Sequence, residues 1–160
     1  MNIQEDYVSF ETAKLLKEKG FDEKCNYVWK LDKASNPQDT DGISKICAER
    51  FMEGESFVDN SDIKKVSEYE DWLEDYHKAY LCPTLQMAMK WLREVHYIHI
   101  AALCPIVDVD TDVFGVKYNV VISNLKNNCL AFNTGIEDNE YDTYEQACEE
   151  AIKYCLENLI

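Results

Sequence analysis

Between Pro83 and Val107 the hydrophobic period of this chain changes from about 3.6 residues to 2, and that change limits the fold more than any other feature. Leu85, Ala88, Leu92 and Val95 recur at steps of three and four, with Met89 and Trp91 beside them, against Gln86, Lys90, Arg93 and Glu94. The spacing predicts an amphipathic helix beginning at Pro83 or Thr84, because proline's missing N–H and fixed φ suit a first helical turn. From Tyr97 the alternation is that of a strand. Ile98, Ile100 and Ala102 point one way, and Tyr97, His99, Ala101 and Leu103 the other. Both sets are largely apolar, so a central strand covered on both faces is expected, ending near Pro105.

Elements before this stretch follow from capping and alternation. Ser9 is a helix N-cap for Phe10–Lys19, Gly20 suits the left-handed position after the last turn, and Phe21 can fold back on Leu16. Tyr27–Leu31 alternates as a strand, with Tyr27, Trp29 and Leu31 on one face and Val28 on the other. Turn chemistry surrounds Asn36-Pro37 and Asp41-Gly42; then Ile43, Ile46, Cys47 and Phe51 suggest a short helix ending near Gly54. Val66, Tyr69, Trp72, Leu73 and Tyr76 keep helical spacing, with Glu68, Glu70, Asp71, Glu74 and Asp75 between them. That predicts a helix with an aromatic side and an acidic side.

Beyond the central stretch, Phe114, Val116, Tyr118, Val120 and Ile122 alternate as a strand antiparallel to the first, and Cys129–Phe132 as a third. Asp142-x-x-Glu145 opens a last helix with Ala147, Ala151, Ile152, Cys155, Leu156 and Leu159 on one face. Helices before and after a meander define an α+β class, a small antiparallel sheet with amphipathic helices mainly on one face. A chain of 160 residues reads as one domain, with 32–80 as a helical or loop insertion. The expected core is Leu85, Ala88, Trp91, Leu92, Ile98, Ile100, Val116, Tyr118, Val120, Ala151, Ile152 and Leu156.

A formal net charge of −15 opposes direct binding to nucleic acid or to an anionic membrane and favours a basic protein partner. The small patch of Lys14, Lys17 and Lys19 is diluted by Glu11 and Glu18. No apolar run approaches the ~18 residues of a membrane span, and MNIQEDYVSF has no basic start followed by an apolar run, so a soluble cytoplasmic protein is expected. Seven cysteines (Cys25, Cys47, Cys82, Cys104, Cys129, Cys148, Cys155), an odd number without C-x-x-C, read as reduced thiols that mostly pack.

Site chemistry is sparse. His96-x-x-His99 with Cys104 offers zinc-type donors without an evident fourth, and a cationic His96 also suits a helix C-terminus. Asp108-Val-Asp110-Thr-Asp112 begins like a calcium loop, but Val113 and Asn119 stand where the loop needs glycine and a bidentate glutamate. No glycine-rich phosphate loop or nucleophile elbow occurs. No cofactor, metal site or catalytic residue is assigned.

YVSFETAKLLKEKGF (7–21), Cys82-Pro83-Thr84 with Trp91-Leu92-Arg93-Glu94-Val95-His96 and Ile98-His99-Ile100, and Tyr141-Asp142-Thr143-Tyr144-Glu145-Gln146-Ala147 resemble a family of small uncharacterised proteins of Bacteroidetes-type genomes, phages and mobile elements. The resemblance covers roughly half the chain; it implies a cytoplasmic, phage-associated origin and brings no activity or cofactor. Residues 32–80 look longer than in the usual member. The expectation is a non-enzymatic interaction module, with a DNA-mimicking inhibitor of a basic partner as its sharper form. Its partner-binding face would be Glu68, Glu70, Asp71, Trp72, Glu74 and Asp75. The alternative is a small hydrolase or metal-dependent enzyme using His77, His96, His99 or a cysteine.

Overall fold

The computed structural model describes residues 5–32, 42–68, 76–104, 117–127, 129–133 and 141–160. These form an α+β fold with two three-stranded antiparallel sheets, and the chain divides into two compact units.

The first unit, Tyr7–Thr84, starts with helix α1 (Phe10–Glu18). Ser9 caps it, accepting from the Thr12 N–H. At its end the Phe21 N–H bonds the Leu16 carbonyl, the Gly20 N–H bonds the Lys17 carbonyl, and Gly20 adopts φ +88°. That is the paired closure which needs a left-handed residue, as the sequence predicts. Strand β1 (Tyr27–Asp32) lies between β2 (Ile43–Cys47) and β3 (Tyr76–Leu81). Val28 aligns with both Ile46 and Leu81, and the buried face of the sheet is the one carrying Val28, Ala79 and Leu81.

Ile43–Cys47 is a strand and not the start of a helix; only Ala48–Phe51 is helical (α2). Ile43 and Ile46 are three apart, which suits a helical face, but the unpaired edge of β1 offers five residues of ladder that a short helix cannot match. The next helix is α3 (Asn60–Ser67), fixed by a capping box between Asp59 and Asp62. Val66 belongs to it; the expected aromatic continuation through Trp72 lies in 69–75, outside the described residues. Tyr76 opens strand β3 and is not the last position of a helix. The stretch 32–80, expected as a helical or loop insertion, thus supplies two strands of this sheet.

In the second unit, helix α4 (Leu85–Val95) buries Leu85, Ala88, Trp91 and Leu92. It starts two residues after Pro83, because Thr84 bridges Tyr7 and the Pro83 carbonyl accepts from Val8 N–H. Strand β4 (Ile98–Leu103) pairs with β5 (Asn119–Asn124), and β5 with β6 (Cys129–Asn133). Ile98, Ile100, Val120 and Ile122 form the buried face, against which α4 and α5 (Tyr144–Asn158) pack. Gln86 on α4 also donates to the Tyr144 hydroxyl on α5, at 3.3 Å.

In the sheet as described, β5 is central and β4 lies beside it at the edge, with His99 and Leu103 exposed. The central, two-sided environment expected of β4 is not what forms. Of the expected core, Tyr118 is half-buried, bridged to Tyr141 with its ring edge-on to Tyr144; Val116 lies outside the described residues, and the others are buried. The last helix is capped by Thr143 and not by Asp142: the Thr143 hydroxyl accepts from Gln146 N–H, and the Gln146 side chain accepts from Asp142 N–H.

Candidate functional site

Of the expected partner-binding face, Glu68 is described, exposed at the C-terminal end of α3; Glu70, Asp71, Trp72, Glu74 and Asp75 lie outside the described residues, as do Asp108, Asp110 and Asp112. The distribution of charge along the chain is nevertheless informative. Segments 69–75, 105–116 and 134–140 together carry ten Asp and Glu and no Lys or Arg. The helices and strands between them are close to balance. Ten of the fifteen excess negative charges therefore fall in these three segments, all of which lie outside the described residues.

His96 and His99 meet different surroundings. The His96 ring stands edge-on to the buried Trp91 with centroids 4.5 Å apart, whereas His99 is exposed on β4. Tyr97 between them holds φ 60°, a left-handed conformation for a residue with a side chain, so helix and strand meet at a sharp corner. Cys104 is exposed just past the end of β4, and His77 lies in β3 in the other unit. Among the described residues no group of three His, Cys, Asp or Glu side chains is placed to hold a metal ion.

Burial pushes the Cys25 thiol up to about 12, helped by Cys82 and Glu23, and burial pushes Cys155 up to about 12 as well. Cys148 is raised by the same cause. The thiolate is the nucleophile, so these three are held in their unreactive form. Cys104 and Cys129 are exposed.

The basic patch expected on α1 is taken up by contacts within its own unit. Lys14 pairs with Glu11 at 3.1 Å. Lys17 lies 5.0 Å from the Tyr80 ring centroid and donates to the Ala79 carbonyl at 3.3 Å; burial first, and Lys78 second, hold its ammonium below the usual lysine range. On the same sheet Lys45 sits 4.0 Å from the centroid of Tyr7 and 5.1 Å from that of Tyr27. Phe10 is edge-on to both Trp29 and Tyr80. Sequence spacing does not reveal this lysine and aromatic layer, because the partners are up to 70 residues apart, as Phe10 and Tyr80 are.

Comparison with models of known families, with curated proteins and with solved structures finds no match.

Proposed function

We propose that this chain is a non-catalytic, cytoplasmic binding module of phage or mobile-element origin that engages a basic protein partner. The segregation of charge carries the reading: ten acids without a base in 69–75, 105–116 and 134–140, against nearly balanced helices and strands. Acidic stretches without a base, set along the chain at several points, attract a positively charged surface over about a Debye length, as a phosphate array does. The sharper form is a mimic that occupies a DNA-binding protein. The suppressed thiols of Cys25, Cys148 and Cys155 support a non-enzymatic reading.

The test is affinity capture from nuclease-treated lysate of a plausible host, washed at low and then high salt, alongside a variant carrying E70Q, D71N, E74Q and D75N. A basic DNA-binding protein retained at low salt, released at high salt and reduced by the variant is the expected result. Partners whose retention ignores both salt and the substitutions would overturn the reading.

A further inference from the structure

We draw no further inference here: the strongest candidate, the lysine and aromatic face of the β2–β1–β3 sheet around Tyr27, Trp29, Lys45 and Tyr80, carries nothing, because Lys17 and Lys45 lie against rings of that same face and nothing in the structure shows what covers it.

Discussion

Cys25 and Cys155 link burial to alkaline stability with a definite sign. Each thiol is held up to about 12 in the folded chain, against about 9 when unfolded. Between those values the unfolded chain releases the protons and the folded chain keeps them, so stability is full below pH 9 and declines as pH rises toward 12. The slope contributed by one such group is about 1.4 kcal/mol per pH unit. Urea unfolding at pH 8.5, 9.5 and 10.5 should show Cys155→Ala losing stability less steeply than the parent, although it starts from a less stable state. Accessibility gives a second prediction at this scale: a thiol reagent at pH 8 should modify Cys104 and Cys129 quickly in native protein, and Cys25, Cys82, Cys148 and Cys155 only after denaturant is added.

At the scale of elements, α5 shows how finely capping decides a boundary. Thr143 accepts the Gln146 N–H at 3.1 Å, while Asp142 ion-pairs with Lys117 on the surface. Thr143→Ala should therefore cost about 1 kcal/mol, and Asp142→Ala less than about 0.5 kcal/mol, since exposed pairs contribute little; thermal melts of the two variants decide it. The sequence pattern places α1, α4, α5, β4 and β6 within one or two residues, because each has its own cap, period or neighbouring turn; the strand expected from Phe114 to Ile122 is β5 over Asn119–Asn124, with 114–116 outside the described residues. Strands β2 and β3 are not legible that way. Ile43 and Ile46 fit a helix as well as a strand, and what selects the strand is β1, a partner contributed from elsewhere in the chain. The outer face of β4 is legible as an alternation, Tyr97, His99, Ala101 and Leu103, but not its exposure: apolar alternation has the same appearance on a covered face and on one that leaves His99 and Leu103 exposed. The acidic excess is legible in the sequence, both as composition and as its concentration in 69–75, 105–116 and 134–140.

For the whole molecule, a net charge of −15 stores repulsion in the folded state, and where that charge sits decides how it responds to salt. Screening length falls from roughly 20 Å at 20 mM salt to roughly 4 Å at 500 mM, so repulsion between separate acidic segments fades across that range while contacts at hydrogen-bond distance persist. The parent should gain about 1–2 kcal/mol of stability over this interval, read as a shift in urea midpoint at constant slope. Converting the ten acids of 69–75, 105–116 and 134–140 to their amides lowers the charge from −15 to −5 and leaves the acids of the described helices and strands in place. If the connections hold the repulsion, the variant is more stable at low salt and loses most of the salt dependence. The same substitutions should weaken capture of a basic partner, which would place the cost in stability and the capacity to bind in the same ten side chains. An unchanged salt slope would instead locate the repulsion among the helices and strands, and the acidic connections would lose their claim to be the surface that attracts a partner.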